Sequence, residues 1–358
     1  MTIPSPLAAT LLATALGAIV AALPAQQPSS TQLVETLGPS AREGRHTHGS
    51  VELRVIGDGG DRVYVFLPSS PRLEGKVPVV LFHHGWQGMN PKNFGGWIDH
   101  LTRSGQVVIY PVYQESDKTS PQTVTDAAAR ASKRALDALA STEHLTVDPD
   151  RVVYFGYSMG AAISINFAIR PGHYGLPAPR SIMLAAPGDA QHVANGPESR
   201  SIIGPVEQLP PNLPVVVVTG EADTEIGLPT ARILFKRMCA VQPDRRVLII
   251  LPSDEHASVK VNAAHGSPGA PDSRYDFELT RTSFPKEIPG RKGFEESPSM
   301  NPLDFYGYWK LLDTLIDDAA PRRLPAVAFG GGTPEQLFLG VWPDGAQYKS
   351  ARLENPCR

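Results

Sequence analysis

Six short runs of nearly unbroken apolar residues constrain this chain more than any other feature. They are VPVVLFH (77–83), QVVIYPVY (106–113), RVVYFGY (151–157), SIMLAAPG (181–188), PVVVVTG (214–220) and RRVLIILP (245–252). Runs this short and this rich in β-branched residues read as strands buried on both faces, the mark of a parallel sheet. Helical segments separate them. Residues 93–105 end at Gly105, and 121–141 repeat Val124, Ala128, Ala131, Ala135, Leu136 and Leu139 at spacings of three and four, which sets them on one face. Helices also fit 159–170, stopped by Pro171-Gly172, and about 229–240. A last helix opens at Asn301-Pro302, a cap followed by proline at the first helical position, with Phe305, Trp309, Leu312 and Ile316 on one side. Upstream, VELRVIG (51–57) and DRVYVFLP (61–68) alternate apolar and polar residues around Asp58-Gly59-Gly60, which predicts a hairpin. The whole predicts an α/β fold: a mostly parallel central sheet with helices on both faces and an antiparallel N-terminal hairpin.

No composition break falls inside 46–320, so these residues read as one domain. The tail, 321–358, reads as an extension packed on it, an added strand or hairpin. From Leu7 to Leu23 there is no charged residue, and LPAQQPSS follows. That is the layout of a secretory signal peptide over 1–25 with a linker over 26–45. No Lys or Arg precedes the apolar segment, which keeps an uncleaved anchor or a misplaced start as alternatives. The expectation is a secreted or periplasmic protein with no stable membrane association after cleavage. A net charge of -3 gives no reason to expect nucleic acid as a partner. Cys239 and Cys357 are the two cysteines; both a tail-to-body disulfide and two free thiols remain open. Neither they nor His46, His48, His83 and His84 have the spacing of a metal site.

The third apolar run leads into GYSMG (156–160), and a helix follows. A serine at a strand-to-helix corner, with glycines two positions to either side, is placed as an exposed nucleophile. An ordinary loop that happens to hold a serine is the bland alternative. If Ser158 attacks a carbonyl, Met159 at the helix start offers a free amide to the developing oxyanion. The loop after the earlier strand, LFHHGWQG (81–88), offers a second, from Trp86 or else Gln87. His83 and His84 read as residues that orient this loop by hydrogen bonding. An orienting acid is expected beyond PVVVVTG, where Asp223 lies; Glu221 and Asp189 compete. For the base the residues leave His256 and His265 both open, the small residues around His265 favouring it. Trp86 and Tyr157 read as an aromatic lip for substrate, or as packing.

FHHGW (82–86), GYSMG (156–160), GEADTEIG (220–227) and SDEHASVKVNAAHGSP (253–268) together resemble the α/β-hydrolase family over about 50–320. The likeness is to its secreted dienelactone-hydrolase-like, chlorophyllase-like and cutinase-like polyester hydrolase branch. That resemblance implies a Ser158–His265–Asp223 triad, because Ala264-His265-Gly266-Ser267-Pro268 stands where polyester hydrolases carry Ser-His-Phe-Ala-Pro. It also implies oxyanion donors at Trp86 and Met159, and no cofactor. Ala161-Ala162 and the long tail depart from the polyester hydrolases. The expected activity is cleavage of small-molecule or polymeric carboxylic esters through an acyl-enzyme. A polyester hydrolase, an acyltransferase or peptidase using the same residues, and a binding protein on the same scaffold are the alternatives. Only residues 189–211 separate two strands at the site, too few for a large lid. The oligomeric state is left open.

Overall fold

A computed structural model describes residues 46–116, 118–141, 143–277, 300–317 and 324–357. The apolar runs become the strands β1 (Ser50–Ile56), β2 (Val63–Ser69), β3 (Lys76–His83), β4 (Val107–Pro111), β5 (Thr146–Tyr157), β6 (Ser181–Ala185), β7 (Val215–Gly220) and β8 (Arg246–Leu251). A small hairpin follows, β9 (Asp254–His256) with β10 (Val259–Val261), and the tail adds β11 (Arg352–Glu354). The nine-stranded sheet runs β1-β2-β4-β3-β5-β6-β7-β8-β11. Pairing is parallel from β4 through β3 to β8. It is antiparallel for β1 with β2, β2 with β4, and β8 with β11.

The helices are α1 (Gly95–Arg103), α2 (Val124–Ser141), α3 (Met159–Ile169), α4 (Gly227–Arg237), α5 (Lys310–Asp317), α6 (Ala326–Phe329) and α7 (Pro334–Leu337). Successive strand residues feed opposite cores, as the pleat requires. Val79, Leu81, Val152, Tyr154, Val215 and Val217 pack with α2, α3 and α4. Val80, Phe82, Val153, Phe155, Val216 and Val218 pack with α1 and α5 on the other face. Each such side chain, fully buried, contributes about 1.5–3 kcal/mol. This is the α/β-hydrolase arrangement, and it delivers the loops after β3, β5, β6, β7 and β8 to one edge.

Three elements differ from expectation. β5 begins at Thr146 because Lys76 and Val77 pair with Thr146 and Val147. The register slips between Val77 and Val79, which accommodates Pro78. The last helix starts as a π-helical segment, Leu303–Trp309, before α5, yet Phe305, Trp309, Leu312 and Ile316 are all buried. The tail is both short helices and a strand, and a Cys239–Cys357 disulfide ties its end to the second residue beyond α4. The expected leader, 1–25, and linker, 26–45, lie outside the described residues. Among the described residues no helix is long and apolar enough to cross a membrane, and no group of three or more His, Cys, Asp and Glu could hold a metal ion.

Candidate active site

β5 ends at Tyr157 and α3 starts at Met159, so Ser158 alone makes the corner. Its backbone stands at φ 52° and ψ -119°, a setting that side-chain-bearing residues avoid unless the surroundings enforce it. Two glycines let the corner close. A Cβ on Gly156 would lie 2.3 Å from the Gly160 oxygen, and one on Gly160 would lie 2.1 Å from the His83 oxygen. The backbones of β5, α3 and β3 meet there without side chains between them.

Ser158 Oγ lies 3.0 Å from His265 Nε2, and His265 Nδ1 lies 2.7 Å from Asp223 Oδ2. All three residues are more than nine-tenths buried. Asp223 sits in the turn after β7, its amide donating to the Gly220 carbonyl at 3.2 Å. α4 starts so close that a Cβ on Gly227 would lie 1.9 Å from Asp223 Oδ2. The positive end of that helix therefore faces the carboxylate. His265 is held by its neighbours. Ala222 N–H donates to the Ala263 carbonyl at 3.1 Å, joining the loop of Asp223 to the loop of His265. Tyr157 Oη–H donates to the His265 carbonyl at 3.0 Å, and Trp97 Nε1–H to the Pro268 carbonyl at 2.8 Å.

The competing residues are employed elsewhere. Glu221 Oε1 accepts the Ser253 amide at 2.8 Å. Asp189 Oδ1 accepts the Ala190 and Ile202 amides at 2.7 and 2.9 Å, capping a short turn. His256 turns outward, its Nε2 2.6 Å from Asp344 Oδ2, with its ring stacked on Trp342.

The loop after β3 closes with a Gly88 amide to Gly85 carbonyl bond of 3.0 Å, and Gln87 stands at φ 64°. That is a type II turn over Gly85–Gly88. Gln87 N–H donates to Gln114 Oε1 at 2.9 Å, so the alternative donor is already engaged. Among the described residues neither the Trp86 nor the Met159 amide has a protein acceptor. His84 buttresses the loop: its Nδ1 lies 2.6 Å from the Gly85 oxygen and its Nε2 2.8 Å from the Val112 oxygen. Burial lowers the His84 pKa to about 4, so the ring is neutral and its single N–H donates to one of these two carbonyls. His83 Nδ1 lies 2.7 Å from Ser164 Oγ, under α3.

One expectation needs correction. Tyr157 is not a substrate lip: it is 1% exposed and lies beneath the site, its ring against Phe94. Burial, then the Asp223 charge, pushes its phenol well above the ordinary value, so it stays a donor. Trp86 keeps 9% of its surface, at the loop itself. The supports Tyr110, Tyr113 and Gln114 were not singled out from sequence. Tyr110 Oη–H donates to the Gly88 carbonyl and Tyr113 Oη–H to the His84 carbonyl. The signal available for them was their place at the end of β4, the strand neighbouring β3, and just beyond it.

None of the curated proteins matches this chain. Among solved structures, a thermophilic esterase from the planctomycete Thermogutta terrifontis, bound to propionate, is similar. It is 16% identical, with a TM-score of 0.45, covering 59% of this chain and 86% of that one. The model of the dienelactone hydrolase family matches residues 62–266, from the start of β2 to the residue after His265. Because that match spans more than half of the 358 residues, the chain belongs to the dienelactone hydrolase family of the α/β-hydrolase superfamily and is a carboxylic ester hydrolase.

Proposed function

We propose that the protein is an exported serine esterase in which Ser158, His265 and Asp223 act as nucleophile, base and orienting acid. The unbroken hydrogen-bonded path from Asp223 through His265 to Ser158, at 2.7 and 3.0 Å, carries this reading. Ser158 Oγ passes its proton to His265 Nε2 and attacks the acyl carbon. The amides of Trp86 and Met159 receive the oxyanion, while Asp223 stabilises the imidazolium through Nδ1–H. His265 returns the proton to the departing alcohol, leaving an acyl-enzyme. Water then repeats the sequence in reverse and frees the acid. No step calls for a cofactor.

Export is supported by the Cys239–Cys357 disulfide, a bond that persists in oxidising compartments. Residues 46–320 form the catalytic unit in this reading, and 321–358 are the extension whose β11 lengthens the sheet. The substrates are small-molecule or polymeric carboxylic esters. Turnover of short-chain p-nitrophenyl esters tests the proposal. Ser158→Ala is expected to lose at least about 10⁴-fold in kcat. Full turnover by that variant would overturn the reading.

A further inference from the structure

Beyond β4 the chain makes a three-residue turn. The Gln114 amide donates to the Val112 carbonyl at 2.7 Å, across Tyr113 at φ 42°. A γ-turn of this hand is strained, the more so with a bulky residue at its centre. Its groups, all buried, converge on one target, the Gly85–Gly88 turn and the histidine before it. The Val112 oxygen meets His84 Nε2, and the Tyr113 ring stacks on His84 at 4.0 Å and 9°. Gln114 Oε1 takes the Gln87 amide. Gln114 is 1% exposed, and its Nε2 has no acceptor among the described residues. An apolar residue of similar size would avoid that buried, unpaired donor. The acceptor oxygen is therefore the part of the side chain that the site uses.

The geometry points to Gln114 as a positioning residue for the oxyanion loop. Gln87 N–H belongs to the central peptide of the Gly85–Gly88 turn, the peptide whose flip interconverts type I and type II turns. Gln114 Oε1 holds that peptide in the type II orientation, with Gln87 at φ 64°. The Trp86 amide is thereby left as the loop's donor to the reacting carbonyl, and it is aligned before substrate arrives. The strain at Tyr113 is offset by the contacts the turn makes with the loop. This inference rests on the proposed esterase mechanism, and it assigns Gln114 a role without contact with the reacting atoms.

Gln114→Leu removes the acceptor at nearly constant volume. With p-nitrophenyl butyrate, kcat is expected to fall about 10–100-fold while KM changes less than about threefold. The inhibition constant of a trifluoromethyl ketone, which forms a tetrahedral oxyanion on serine, rises by the same factor as kcat falls. A structural role alone would lower the melting temperature and leave both ratios unchanged in the folded enzyme. A second measurement uses the unaltered protein. Amide hydrogen exchange is expected to be at least about 10-fold slower at Gln87 than at Trp86. A folded Gln114→Leu with wild-type kcat and ketone affinity would overturn the inference, as would equally fast exchange at the two amides. Ser158→Ala is run beside it. If that variant kept turnover, the esterase mechanism would be the claim at fault.

Discussion

His265 and His256 lie on the same stretch beyond β8, but their surroundings assign them different work. His265 is enclosed between Asp223 and Ser158, whereas His256 holds a surface pair with Asp344. We predict that His265→Ala lowers kcat by about 10⁴-fold or more. His256→Ala should leave kcat within about threefold and the denaturation midpoint nearly unchanged, as exposed pairs do. Ester turnover and denaturant melts of the two variants check this, and the opposite ranking would move the base to His256. Ser158 was legible in sequence because strand, glycines and helix surround it within a few residues. For the histidine the residues favoured His265 but left His256 open, and the family resemblance pointed to His265, since a histidine's role is decided by which carboxylate meets it, and Asp223 arrives from a different loop. Of the two readings of Tyr157, lip or packing, a more local signal favoured packing. Val153, Phe155 and Tyr157 alternate onto the same core, so the two-residue period of β5 already pointed that ring away from solvent.

At the scale of elements, the tail is the least legible part of the chain, yet it is tied to the body at several points. β11 pairs Arg352 with Ile250 and Glu354 with Leu248. Arg232 on α4 grips Glu354 with two bonds of 2.7 and 2.8 Å. The disulfide closes a loop of sequence separation 118, worth about 2–5 kcal/mol by restricting the unfolded chain. Cys239→Ser with Cys357→Ser is therefore expected to lower unfolding free energy by about that amount in non-reducing denaturation. An unchanged midpoint would contradict it. The strands of the parallel sheet announced themselves because burial on both faces demands apolar runs. β11 has three residues, one exposed and two half-buried, and an edge strand needs no such run. The early start of β5 was hidden by Asp148-Pro149-Asp150, which reads as a turn until the pairing with β3 is seen.

For the molecule as a whole, two neutral histidines buried under the site make stability depend on pH. Burial lowers the His83 pKa from 6.5 to about 3, the neighbouring His84 adding to the effect, and burial lowers His84 to about 4. The unfolded chain protonates these rings near pH 6.5 and the folded one does not. Protons therefore favour unfolding as pH falls from about 6.5 toward 4, and above that window the two rings contribute no slope. The expected slope is up to about 1.4 kcal/mol per pH unit for each ring. Urea titrations between pH 7.5 and 4.5 should show it, with a shallower slope in His83→Gln; an identical slope in that variant would contradict the assignment. The edge that carries Ser158 is held together by burial and by backbone contact. The claim on which all of this depends is that Ser158 is activated by its neighbours. The most direct measurement is reaction with a fluorophosphonate followed by peptide mass analysis. The adduct is expected on Ser158 alone, and to vanish in His265→Ala. Modification at another residue, or none at all in folded protein, would contradict the account.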